Sequence, residues 1–273
     1  MRLVPFTGSH PAAVLPLMRW GLVQSGLVIG SMSPDLPYYL PMPVGAATTH
    51  SAPGVVTVDV LYGLAAFLVW HALFAPAAVA VAPQWVRSRL PESQPHPAAW
   101  HFRTPRATLA VLASVAVGAA THVAWDEFTH AGRWGARHIG WLREQHGALP
   151  GHRWAQYASG VIGAAVIVAV VIAWCRRTPP TPRPRALSTA VTTASLALVV
   201  AAAIVGAVVR ALPAVEDGIN VRRAAFLAVT GGCTAAVAAA AGLALVWRIR
   251  TSRARSRAPS AHQPPLRRRG RRP

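Results

Sequence analysis

The sequence predicts an all-α fold: a polytopic helical membrane protein with five or six membrane helices. Three observations carry this. Only 13% of the 273 residues are charged and 53% are apolar, against about 25% charged in an ordinary soluble domain. Mean hydropathy is positive, +0.37. The apolar residues also gather in runs near the roughly 20 residues that a bilayer requires.

Segments 107–125, 155–175, 186–209 and 224–247 meet that requirement, and several are free of charge, which argues against a soluble bundle of buried helices. Segment 55–81 is longer and carries Asp59 and His71. It is expected to span and then turn along the interface near Pro76. Segment 12–30 contains Pro16, Arg19 and Gln24, and an arginine at mid-helix costs about 2.5–3.5 kcal/mol on insertion scales. It is expected to be membrane-associated, either spanning or lying in the interface.

Arginine placement orients these spans, because short cytoplasmic loops are enriched in Lys and Arg. All 27 basic residues are arginine. Loop 176–185 holds four and no acid, and the segment from Arg248 onward holds ten; both are expected in the cytoplasm. Alternation then places 83–106 inside and 31–54, 127–154 and 210–223 outside. The chain is therefore expected in a bacterial cytoplasmic membrane with its C-terminus cytoplasmic. Pro5, Pro11 and a single basic residue argue against a secretory signal at the N-terminus.

The formal charge of +19 does not point to nucleic acid, because the tail 248–273 has no accompanying fold and no interleaved aromatics. That tail, rich in Arg, Pro and Ser, reads as disordered. Cys175 and Cys233 form no CxxC pair, which argues against a disulfide framework or a thiolate zinc site.

The informative residues are the scarce ionisable ones, since charge within or beside a membrane is costly and defaults to function. His122 and Asp126 are four apart near the end of an apolar helix, hence on one face, and His130 continues the spacing. Imidazole and carboxylate together suit zinc or another divalent ion. On that stretch alone the pair also reads as a helix-end hydrogen bond. The expected topology brings Asp35, His50 and Asp59 to the same outer end, and this convergence favours a metal site. His152 and Gln156 form another i, i+4 pair at the start of a span, His152 a candidate ligand and Gln156 a weaker donor. His10 joins the group only if 12–30 does not span. His71 reads as a structural hydrogen bond; His138 and His146 read as solvated, and His96, His101 and His262 are excluded.

The stretches Pro5-Phe6-Thr7, Ser9-His10-Pro11-Ala12, Gly30-Ser31-Met32-Ser33-Pro34-Asp35, His50-Ser51, His122 with Trp125-Asp126, Phe128-Thr129-His130, and Gln156 with Ser159-Gly160 together resemble the bacterial membrane-protein family called domain of unknown function 4184. The resemblance covers roughly residues 4–173. It suggests a family-like membrane domain at 1–175 and two additional membrane helices at 176–247, ahead of the tail 248–273. More distantly, the order His10, Asp35, His50, His122, Asp126, His130, His152 is similar to membrane-bound metal-dependent hydrolases and to the zinc-dependent phospholipase C and P1 nuclease group. Gln156 stands where that pattern has an acid. The similarity implies zinc ligands at those seven residues and a catalytic role for Asp35 and Asp126. Asp35 would bridge ions or orient water, with Asp59 and Gln156 behind the ligands. The implied activity is hydrolysis of a phosphoester or lipid-type substrate at the outer membrane face. The alternative is a non-enzymatic membrane protein: a metal-binding transporter, an assembly factor or a family member that kept the fold and lost the chemistry.

Overall fold

A computed structural model describes residues 7–91, 95–216 and 221–257. Among these, five helices are long and apolar enough to cross a membrane: Ala52–Val81, Pro105–His138, Gly151–Arg177, Thr189–Ala214 and Val221–Arg253. The molecule is a multi-pass helical membrane protein, and the sixth candidate, 12–30, is not one continuous helix. It breaks into α1 (Pro11–Val14), a 3-10 turn (Leu15–Arg19) and α2 (Gln24–Gly30). Pro11 opens α1 and Pro16 opens the turn, positions where a missing N–H costs little. Gly21 reverses the chain between them at φ 73°.

The second segment, α3 (Ala52–Val81), runs through Pro76 rather than turning along the interface. It does so by widening into a π-helical turn at Trp70–Phe74. Pro76 has no N–H for the carbonyl four residues back. That carbonyl, Ala72, accepts instead from the Arg248 guanidinium.

The centre of the bundle is α4 (Pro105–Thr129), with Val111, Val115, Ala119 and Val123 buried. Its apolar window is 39% buried, against 6% for α6 (Gly151–Arg177) and none for the Thr189–Ala214 span. The reason is a small-residue seam. Gly26 and Gly30 of α2 face Ser114 and Gly118 of α4, a close approach of the kind that small residues four apart allow in membranes. A methyl group at Gly30 would overlap the Val115 carbonyl oxygen, and one at Gly118 the Leu27 carbonyl oxygen. Ser114 Oγ also takes the Val23 N–H at 2.8 Å, which anchors the start of α2.

Between α4 and α6 lie the short helix α5 (Trp134–His138) and a two-residue hairpin, β1 (Gln145–His146) with β2 (Leu149–Pro150), turned by Gly147 at φ 67°. Glu127 organises this connection: its carboxylate accepts the Trp134 N–H at 2.8 Å and pairs with Arg133 at 3.0 Å. The last two helices, α7 (Thr189–Glu216) and α8 (Val221–Arg257), form a hairpin with its own glycine seam, Gly206 against Gly231 and Ala235. Thr234 Oγ1 ties α8 to the Tyr39 carbonyl at 2.8 Å. Helix α8 continues through the first ten residues of the segment expected to be disordered, and residues 258–273 lie outside the described part.

Candidate metal centre

The seam on α4 leads directly to the polar residues. Ser114, Gly118, His122 and Asp126 are successive fours along one helical face. Because Gly30 and Gly118 let the two backbones touch, His122 reaches across and its Nδ1 lies 2.8 Å from the Ser31 carbonyl oxygen. His50, which ends the short helix Ala46–Thr49, places Nδ1 3.0 Å from the Ala46 carbonyl oxygen and 3.2 Å from Thr49 Oγ1. A carbonyl only accepts, so both rings carry a hydrogen on Nδ1 and, when neutral, turn a lone pair inward from Nε2.

Those lone pairs meet carboxylate oxygens. His50 Nε2 lies 3.2 Å from Asp35 Oδ1 and 3.4 Å from Asp126 Oδ2. His122 Nε2 lies 3.5 and 3.6 Å from the same two atoms. With both rings neutral, acceptors face acceptors in a buried site. His122 Nε2 and Asp126 Oδ1 are buried without a hydrogen-bond partner. Two carboxylates out of water need compensating positive charge, or the cost is several kcal/mol per ion. A divalent cation held by these residues would supply that charge. The donor set thus fits a metal ion, and its second ring nitrogens are held by carbonyls as metal-ligating histidines usually are.

Two overlapping donor groups could hold an ion: His10, His122 and Asp126, and Asp35, His50 and His122. His10 arrives because segment 12–30 is broken at Gly21 rather than running as one helix. Its ring stacks on His122 at 3.7 Å between centroids, and its Nε2 lies 3.9 Å from Asp126 Oδ1. Burial, then the neighbouring His122, lowers its pKa to about 4, which keeps the ring a neutral donor at pH 7. Burial alone would raise the Asp35 carboxyl. The charge that His122 can carry, with hydrogen bonds from His122, His50 and Thr7, outweighs burial and holds Asp35 below the usual carboxylate range. Thr7 donates to Asp35 and lies 2.8 Å from the Tyr39 hydroxyl.

The remaining expected ligands stand further out. Helix α4 ends at Thr129, so His130 is the first residue beyond it. Its Nδ1 lies 3.3 Å from Asp126 Oδ1, and its Nε2 lies 3.1 Å from the Gln156 amide nitrogen. Arg153 fixes that amide by donating to Gln156 Oε1 at 2.8 Å. Arg153, Gln156 and His130 thus form a chain that ends on Asp126. His152 is outside both donor groups; its ring is buried and bonds the Leu142 carbonyl at 3.0 Å. Asp59 is fully buried, with neither oxygen hydrogen-bonded. The imidazoles are held by the Ser31 and Ala46 carbonyls rather than by Asp59.

Sequence reasoning did not single out Arg133 and Arg153. Arg133 donates to the His50 carbonyl at 2.7 Å and so couples Glu127 to the cluster. Both arginines line a cavity of about 700 Å³ that opens on His10, Asp35, His50 and Asp126.

Fold and site together define a multi-pass membrane protein with a buried His/Asp centre where α4 ends and α6 begins. The chain belongs to the family described as Domain of unknown function (DUF4184), whose match covers residues 4–241. The match takes in both helices of the final hairpin, beyond the 4–173 that the motifs delimit. Neither a curated protein nor a solved structure matches the sequence.

Proposed function

We propose that this protein is a metal-dependent hydrolase embedded in the bacterial cytoplasmic membrane, acting on a phosphoester or lipid-type substrate at the outer face, with its C-terminus in the cytoplasm. One observation carries the reading. The inward Nε2 atoms of His50 and His122 lie 3.2–3.6 Å from oxygens of Asp35 and Asp126 in a buried site that borders a cavity. His10, Asp35, His50, His122 and Asp126 would hold the ion, and zinc suits a set of imidazoles and carboxylates. A divalent ion supplies Lewis acidity toward water and toward a phosphoryl or acyl oxygen. Beside it, Asp35 would orient an attacking water from the cavity side. His130 steadies Asp126 and is itself steadied by Gln156 and Arg153.

A non-enzymatic transporter would need ionisable groups along several spans. The residues named here instead gather at one end of the bundle, which favours a surface reaction over a path across the membrane. The test is elemental analysis of the protein purified in detergent, beside a His122→Ala/Asp126→Ala variant. The expected result is near-stoichiometric divalent metal in the parent and little in the variant. No metal in the parent, or equal metal in both, would sink the reading.

A further inference from the structure

The cavity changes character along α6. Its lining there runs Arg153, Gln156, Ser159, Gly160, Ile162, Gly163, Val166, spaced so as to keep to one side of the helix. Ten residues separate Gln156 from Val166, about 15 Å of helix at ~1.5 Å per residue. That is roughly half of the ~30 Å hydrocarbon core of a bilayer. Helix α6 is a membrane-spanning segment with 6% of its apolar window buried, so its other faces meet lipid. Ile162 and Val166 line the cavity and are 61% and 39% exposed. The facing wall is the N-terminal segment, where Ala12 and Ala13 leave room and Ser9 rests directly on Gly163. The deep end is therefore narrow, apolar and open to the side.

The shallow end has the opposite chemistry. Arg133 is committed to Glu127 and to the His50 carbonyl. Arg153 gives one hydrogen to Gln156, and among the described residues no carboxylate lies within ion-pair distance of it. A guanidinium carries five N–H donors in a fork that matches phosphate.

Resting on the hydrolase reading for the identity of the metal-donor end, we infer that the cavity binds an anionic phospholipid entering sideways from the bilayer. Its phosphate sits between Arg153 and the His/Asp cluster, and one hydrocarbon chain lies along α6 from Ser159 to Val166. The ligand chemistry is a phosphate; the apolar groove makes its source a lipid rather than the free anion.

The experiment reads binding rather than turnover, so its failure is distinct from failure of the hydrolase reading. Full-length protein in lipid nanodiscs is labelled with phosphatidic acid that carries a diazirine on its acyl chain, and adducts are mapped by mass spectrometry. Adducts should concentrate on the Val166 face of α6 in the parent. Val166→Trp, which fills the groove, should lower labelling about tenfold, equivalent to about 1.4 kcal/mol of binding. Val161→Trp adds the same bulk on the same helix at an exposed residue outside the cavity lining, and should change nothing. Unlabelled phosphatidic acid should compete better than phosphatidylcholine, and Arg153→Ala should erase that preference. Equal labelling of the Val161 and Val166 faces overturns the inference, as does full displacement by millimolar inorganic phosphate. Equal competition by the two lipids removes Arg153 as the reader of the head.

Discussion

Two helix pairs in this protein are joined by the same device and do different things. In α2 and α4, Gly26 and Gly30 press on Ser114 and Gly118; in α7 and α8, Gly206 presses on Gly231 and Ala235. Both seams let backbones approach closely where lipid removes the hydrophobic drive for helix association. The first seam continues along α4 into His122 and Asp126 and is covered by further elements on its outer side. The second has Arg210 packed on Gly231 but, among the described residues, is not enclosed by further segments, and α7 buries none of its apolar window. A close-packed seam brings chemistry only when polar donors stand at its end and other segments enclose them. Here the N-terminal segment, with Thr7 and His10, provides that enclosure.

The largest test of this contrast is to break one seam and spare a lipid-facing glycine. In Gly118→Leu the first added carbon already overlaps the Leu27 carbonyl oxygen. Overpacking costs typically about 1–3 kcal/mol and occasionally more. The expected result is a thermal transition in detergent lowered by several degrees, with loss of bound metal, since His122 depends on this approach to reach Ser31. Gly242→Leu, at a position with nothing within 4 Å, should leave both unchanged. If the two variants behave alike, the seam does not position the site.

A smaller effect tests how the two regions are joined. Arg248 of α8 donates to the Ala72 carbonyl that Pro76 leaves without its helical partner. Arg248→Ala should cost about 1 kcal/mol, the usual worth of one such hydrogen bond. In a Pro76→Ala background, where a backbone N–H is restored, the same change should cost less. The difference, read as a double-mutant cycle from thermal unfolding, should be close to 1 kcal/mol. A coupling near zero would mean that the guanidinium contact carries no weight.

The sequence made the spans and the site legible to unequal degrees. Run length located every spanning helix, because a bilayer imposes a length that Ala, Val and Leu runs either meet or miss. His122, Asp126, Asp35 and His50 stood out because ionisable residues are so few. The seam was illegible: Gly118 in an alanine-rich helix looks like composition until a partner backbone is placed against it. The acceptors for the imidazoles were illegible for another reason. They are the carbonyls of Ser31 and Ala46, and every residue has a carbonyl. His152 shows the limit of spacing arguments. Its i, i+4 relation to Gln156 fixes a shared face of α6, yet Gln156 meets His130 while His152 turns to Leu142.

The smallest predicted effect concerns the opposite end of α4, where, among the described residues, histidines gather without a carboxylate among them. His101 packs against His71 and Phe67 of α3 at ring-centroid distances of 4.5 and 5.2 Å, and against Trp100 at 5.0 Å. His71 is already committed, with Nδ1 3.1 Å from the His96 carbonyl oxygen and Nε2 3.0 Å from Ser25 Oγ. His101 Nε2 is buried without a partner. Burial first, then His71 and His96, lowers the His101 pKa below its ordinary 6.5. The fold therefore favours the neutral ring, so the unfolded chain binds the proton more readily. His101 thus contributes stability above pH 6.5 that is lost as pH falls below it. A phenylalanine has the same flat shape and suits the neighbouring rings. His101→Phe should raise stability by roughly 1 kcal/mol at neutral pH, because it removes an unsatisfied buried nitrogen. It should also flatten the decline in transition temperature between pH 7 and 5. An unchanged decline would assign that acid sensitivity to other groups, the His/Asp centre first among them.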